Sequence, residues 1–150
     1  MERLTQADDM TTREGLRRAI SIVHRPNVLL WCSIPCTGGS PWTKINKHKK
    51  GGAEKIQEHR HKFRQLWNNF EKVATANAAF GGRVAIEWPA NCAYWKEDCV
   101  QQFLTRMNID TKVNLDGCMV GLKSPTNGLP ILKPWKIATD SGCLVTAMQN

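Results

Sequence analysis

The sequence predicts an α/β fold in which a parallel sheet is covered by crossover helices. Apolar strand patterns occur at residues 28–34, 83–89 and 112–116, and amphipathic helix patterns alternate with them along the chain. Alternation of this kind favours parallel strands joined by helices. Ligands of such sheets bind beyond the carboxyl ends of the strands, so a functional site is expected there.

The helices are predicted from apolar residues that recur every three or four positions. Residues 11–14 form a capping-box pattern, Thr followed three residues later by Glu, which begins a helix that reaches Val23. The clearest helix pattern spans 53–79 and is ended by Gly81-Gly82. A second amphipathic helix is predicted over 93–107.

The last part of the chain has a different pattern. Residues 117–128 are rich in turn-forming residues, and 129–139 alternate enough to form one arm of a hairpin. A further strand is expected at 144–148, which would complete a C-terminal β-hairpin region. The whole chain of 150 residues is interpreted as one domain, with residues 1–10 as a flexible leader.

Composition indicates a basic protein. The formal net charge is +8 and the pI is near 9.4, which favours polyanionic partners such as DNA or RNA. The predicted loop over 37–52 is strongly basic and carries Lys44, Lys47, Lys49 and Lys50. No apolar run is long enough for a membrane span, and the amino terminus lacks a signal-peptide pattern, so an intracellular (cytoplasmic or nuclear) protein is expected.

The six cysteines favour free thiols over disulfides, because no secretion signal is evident. Cys32 and Cys36 are close in sequence, and so are Cys92 and Cys99. A structural zinc site usually needs two pairs with two to four residues between the ligands, and only the first pair has that spacing. No metal site is predicted.

The candidate reactive residue is Cys36, which follows a buried strand and opens a loop with two glycines. A rigid strand that delivers a thiol into a loop suits a nucleophile, although a buried cysteine can also simply close a strand. Glu87 ends the next strand and Asp116-Gly117 the third, so all three are expected at one edge of the sheet. Glu87 could instead cap a helix or pair with Lys96.

This order of residues resembles the catalytic half of the cytosine-C5 DNA methyltransferases. The family has a strand that ends in Pro-Cys, then a helix, then a strand that ends in Glu. It also resembles methyltransferase-like segments of mobile-element polyproteins. The resemblance implies a partial Rossmann-like methyltransferase sheet, with Cys36 as the nucleophile that attacks a cytosine ring and Glu87 as the residue that holds the base.

The resemblance also implies a cofactor and a set of phosphate contacts. Lys133 and Lys136 stand where the family has a basic hairpin, and the loop lysines would also hold phosphates. S-adenosylmethionine is the implied methyl donor, but no cofactor-binding half precedes Cys36, so another chain could complete the cofactor site or the sheet. Two alternatives stay open: an inactive, basic nucleic-acid-binding module, and a structural or assembly protein.

Overall fold

The computed structural model describes residues 8–149. The helices are α1 (Arg13–Val23), α2 (Thr43–Asn46), α3 (Gly52–Ala79), α4 (Asp98–Arg106) and α5 (Gly142–Gln149). The strands are β1 (Leu29–Cys32), β2 (Arg83–Pro89), β3 (Thr111–Asp116) and β4 (Pro134–Thr139). Short 3-10 turns lie at Thr37–Gly39, Ala93–Lys96 and Gly117–Val120.

The strands form one mixed sheet in the order β1-β2-β4-β3. β1 pairs with β2 in parallel, with Leu29 opposite Arg83. β4 lies between β2 and β3 and is antiparallel to both. The sheet is therefore α/β as predicted, but it is not all parallel. Because β1, β2 and β3 still run in one direction, their carboxyl ends meet at one edge.

The C-terminal hairpin prediction is wrong. Only Pro134–Thr139 of the predicted arm forms a strand, and it pairs with β2 and β3 inside the sheet. The predicted strand at 144–148 is part of helix α5. Its first turn is capped by Ser141, whose Oγ accepts a hydrogen bond from the Leu144 N–H at 3.3 Å. The β-branched residues of this segment had favoured a strand, and the cap favours the helix.

The main core lies between α3, α4 and one face of the sheet. Phe63, Trp67 and Phe70 recur along α3 at helical spacing and are buried. The ring of Trp67 lies 5.6 Å from that of Trp88 on β2 and 5.4 Å from that of Phe103 on α4. Aromatic pairs of this kind add about 0.5–1.5 kcal/mol beyond simple burial. This cluster fixes which face of β2 is covered.

The end of α3 is tied directly to the start of β2. Gly81 adopts φ of +73°, a left-handed conformation that glycine tolerates and that ends the helix. The side-chain amide of Asn77 donates a hydrogen bond to the Arg83 carbonyl at 2.9 Å. The crossover from β1 through α3 to β2 is therefore held at both ends.

A smaller cluster packs α1 against α3 through Ala19, Val23 and Val73. The flexible leader expected over 1–10 falls mainly outside the described residues. Within them, Asp8 pairs with Arg18 at 2.8 Å and Met10 packs against this smaller cluster. None of the described helices is both long enough and apolar enough to cross a membrane.

Two predicted segments have more structure than the sequence suggested. The basic loop over 37–52 contains the 3-10 turn Thr37–Gly39 and the short helix α2, and α3 already begins at Gly52. The helix predicted over 93–107 is two pieces, because Glu97 is extended between a 3-10 turn and α4. All six cysteines lie in the described range, and none is joined to another.

Candidate functional site

A groove of about 970 Å³ begins at the carboxyl ends of β1 and β2. Its lining includes six basic side chains: Lys44, Lys47, Arg60, Lys96, Lys112 and Lys136. Within residues 8–149, none of the lining residues carries a carboxylate. Six cations that share one concave surface repel one another, so an anion would stabilise the arrangement. We call this surface the cationic groove.

One wall of the cationic groove is formed by α2 and the first turns of α3. Lys44 and Lys47 are three residues apart in the α2 segment and so lie on one side of it. Ile56 and Arg60 are four residues apart on α3 and line the groove as neighbours. The Arg60 Nε donates a hydrogen bond to the Gly38 carbonyl at 3.3 Å, which joins α3 to the turn after β1.

The floor of the groove is closely packed beneath that turn. A side-chain carbon at Gly39 would lie 2.9 Å from the Cys92 sulfur, and one at Gly38 would lie 2.5 Å from the Tyr94 hydroxyl oxygen. Only glycine allows the turn to approach this closely. The two glycines therefore serve close packing, and the loop that holds Cys36 is seated firmly on the segment after β2.

Burial, rather than the nearby cations, governs the titratable groups of the floor. Loss of solvent raises the pKa of the Cys92 thiol to about 11 and that of the Tyr94 hydroxyl to about 12. The Tyr94 hydroxyl has no hydrogen-bond partner among the described residues. Both groups are neutral near pH 7, so the charge of the groove comes from its walls.

The far wall is part of the sheet. Lys136 on β4 pairs in register with Asn114, and Lys112 on β3 with Ala138, so both lysines project from the same face. The Lys136 Nζ lies 5.8 Å from the centre of the Trp95 ring, a cation–π distance. The groove thus joins segments that follow β1 and β2 with the surface of β3 and β4.

Cys36 and Glu87 lie at the predicted edge of the sheet but on opposite faces. Cys36 is half-buried and packs against the main core cluster. Glu87 lies between two core residues of β2, so it projects from the other face, where its Oε2 accepts a hydrogen bond from Ser33 at 2.7 Å. Trp31 in turn donates to the Ser33 hydroxyl at 3.0 Å. Neither Cys36 nor Glu87 is among the residues that line the cationic groove.

The predicted phosphate-binding lysines are divided by the structure. Lys44, Lys47 and Lys136 line the cationic groove. Lys49 and Lys50 are exposed on the turn between α2 and α3, beyond the lining. Lys133 lies with its Nζ 5.1 Å from the centre of the Trp135 ring.

Three cations of the groove were missed by sequence reasoning. Arg60 was detectable, because it falls on the same stripe of α3 as Phe63 and Trp67 and thus places a charge on the inward-facing side. Lys96 and Lys112 carry no such signal. They join the groove only through the packing of segments that are distant in sequence.

The groove does not suit S-adenosylmethionine. That cofactor carries a positive sulfonium, and the described lining offers six cations and no carboxylate to receive it or the ribose hydroxyls. No methyl-transfer step is therefore derived from these residues. Nor do three or more His, Cys, Asp or Glu side chains in residues 8–149 converge to hold a metal ion.

Comparison with known proteins gives no relative: no protein-family model, no curated protein and no solved structure matches this chain.

Proposed function

We propose that the protein binds nucleic acid through the cationic groove. The observation that carries the proposal is the lining itself, six basic side chains without a carboxylate. Phosphates that enter such a groove release the counterions around the nucleic acid, which drives binding without any sequence contact. The net charge of +8 adds long-range attraction.

A polymer suits this surface better than a small anion. The volume of about 970 Å³ is at the upper limit of small-molecule sites. The charge also continues past the groove, since Lys49 and Lys50 are exposed directly after α2. A chain of phosphates can use all of these cations together, whereas a single phosphate group cannot.

The test is a measurement of oligonucleotide affinity against salt concentration. Lys44→Gln/Lys136→Gln neutralises two opposite walls of the groove, and Arg17→Gln/Lys72→Gln is the matched control on the exposed surfaces of α1 and α3. We expect the groove variant to bind about tenfold more weakly per residue at about 50 mM salt, with a salt slope reduced by roughly 0.7–0.9 per lost contact. The control should bind as the wild type does.

Two results would contradict the proposal. Equal affinity of the groove variant and the control would mean that the charge is diffuse and the groove is not the site. Affinity that does not change with salt would exclude phosphate contacts altogether.

Base modification by Cys36 is a second candidate. The observation that favours it is position: Cys36 immediately precedes the turn whose residues Gly39 and Ser40 line the groove. The relationship to the cytosine-C5 methyltransferases and their partial Rossmann-like sheet is likewise a proposal. It is supported by the parallel β1–β2 pair, which carries Pro-Cys and Glu at its carboxyl ends.

The chemistry of this candidate can be tested without a methyl donor. If the Cys36 sulfur bonds to carbon 6 of cytosine, the electrons of the C5=C6 bond move to carbon 5, which takes a proton from water. Reversal then releases the original hydrogen. Cytosine tritiated at carbon 5 should lose its label to water with the wild type and with Cys143→Ala, but not with Cys36→Ala. No release with the wild type would exclude the reactive role while leaving the binding proposal intact.

A further inference from the structure

Trp42 is the most exposed of the six tryptophans, with 68% of its surface accessible, whereas Trp67 and Trp88 are buried in the core. Its neighbours Pro41 and Thr43 both line the cationic groove. A large apolar ring is thus left in solvent on the α2 wall, beside lysines. Core packing does not account for it, because Trp42 belongs to neither buried cluster.

The backbone beneath this ring is well fixed. The Trp42 carbonyl accepts hydrogen bonds from the N–H groups of Ile45 at 3.1 Å and Asn46 at 2.9 Å, and its own N–H donates to the Ser40 hydroxyl at 3.4 Å. Lys44 and Lys47 follow within the next turn. The ring therefore has a defined anchor and two cations close by, while its faces remain open.

An open aromatic face beside cations matches the chemistry of an unpaired nucleotide. The phosphates bind the lysines, and the base stacks on the ring, an interaction that every base can make. In a duplex the faces of the bases already stack on one another, so they cannot use such a ring. We propose that the occupant of the cationic groove is single-stranded nucleic acid, and that one of its bases stacks on Trp42.

This proposal rests on the groove as the nucleic-acid site but makes a separate prediction. Affinity is measured by fluorescence anisotropy with a labelled 20-nucleotide single strand and with the matching duplex. The variants are Trp42→Ala, Trp42→Phe and, as the control, Trp31→Ala, which removes a tryptophan that is 43% exposed on the other face of the sheet.

We expect the wild type to bind the single strand more tightly than the duplex. Trp42→Ala should weaken binding of the single strand by about 5- to 150-fold, the range for the loss of one stacked base, and should change duplex affinity less than twofold. Trp42→Phe should restore most of the loss, because it keeps an aromatic face. Trp31→Ala should bind both probes as the wild type does.

The outcomes separate the two proposals. Tighter binding of the duplex, or an equal loss for both probes in Trp42→Ala, overturns the single-strand proposal and leaves the groove intact. Unchanged single-strand affinity in Trp42→Ala overturns it as well. If the wild type binds neither probe at low salt, the groove proposal fails too. Circular dichroism of each variant confirms that any loss is not a loss of fold.

Discussion

The two ends of the sheet treat charge in opposite ways. At the amino ends of β2 and β3, a smaller cleft of about 370 Å³ is lined by Arg83 together with Asp110 and Asp140. Arg83 pairs with Asp140 at 3.6 Å, and the other oxygen of Asp140 accepts the Val84 N–H at 2.7 Å. At the other end, the cationic groove has no carboxylate among its described lining residues.

The difference distinguishes charges that hold the fold from charges that await a partner. Asp140 is partnered by a cation and by a backbone donor, so its charge is accounted for within the chain. The lysines of the groove have no acidic side chain beside them in the lining, and their mutual repulsion costs stability. Substitutions at the amino end should therefore affect unfolding, and those in the groove should affect binding.

The largest effect that tests this division is expected at Asp140. Asp140→Ala leaves the half-buried Val84 N–H without its acceptor and should lower the free energy of unfolding by about 1–3 kcal/mol. Asp140→Asn keeps an acceptor oxygen and loses only the ion pair with Arg83, whose side chain is 62% exposed, so it should cost less than about 1 kcal/mol. Urea unfolding of both variants provides the measurement.

Oligonucleotide affinity is the second measurement on the same two proteins. Both variants should bind within about twofold of the wild type, because Asp140 lies at the far end of the sheet. If Asp140→Ala changes affinity as much as Lys44→Gln/Lys136→Gln does, the two ends are not separate and the comparison fails.

A smaller effect concerns the floor of the groove, which is dry although its walls are charged. Burial raises the pKa of Cys92 to about 11, so its reactive thiolate is scarce at pH 8 and increases about tenfold per pH unit up to pH 10. Alkylation by iodoacetamide, followed by mass spectrometry, should show this rise without a plateau. Protein unfolded in urea provides the control, in which Cys92 should react much faster at pH 8.

A plateau of the Cys92 rate below pH 9 in the folded protein would contradict this account. It would mean that the surrounding lysines, rather than burial, set the thiol pKa, and that the floor is open to water. Bound single-stranded DNA should slow the reaction further, because Cys92 lines the groove.

Local patterns in the sequence predicted most of the helices and strands but not their arrangement. The helix over 53–79 and the strand over 83–89 were predicted almost to the residue, because both bury a continuous apolar stripe. α5 was missed because Val145 and Thr146 are β-branched and outweighed the single cap at Ser141. The insertion of β4 between β2 and β3 depends on long-range pairing, which local patterns do not encode.

The site was partly predictable for the same reason. Lys44, Lys47 and Lys136 were identified from charge density and from the hairpin likeness, and they do share a groove. The common edge of Cys36 and Glu87 also followed from strand direction. Their separation onto opposite faces depends on where the strand pleat places Glu87 relative to the core, and one residue of register decides that.

The position of β4 has a consequence for the order of folding. β1 and β2 can pair as soon as α3 has formed between them, whereas β3 pairs, within the described chain, only with β4, which comes later. During synthesis, β3 must therefore wait with both edges unpaired until Pro134–Thr139 emerges, a state prone to association. When β4 enters, it pairs with the strands on both sides. β4 thus makes a two-stranded unit and a lone strand into one cooperative sheet.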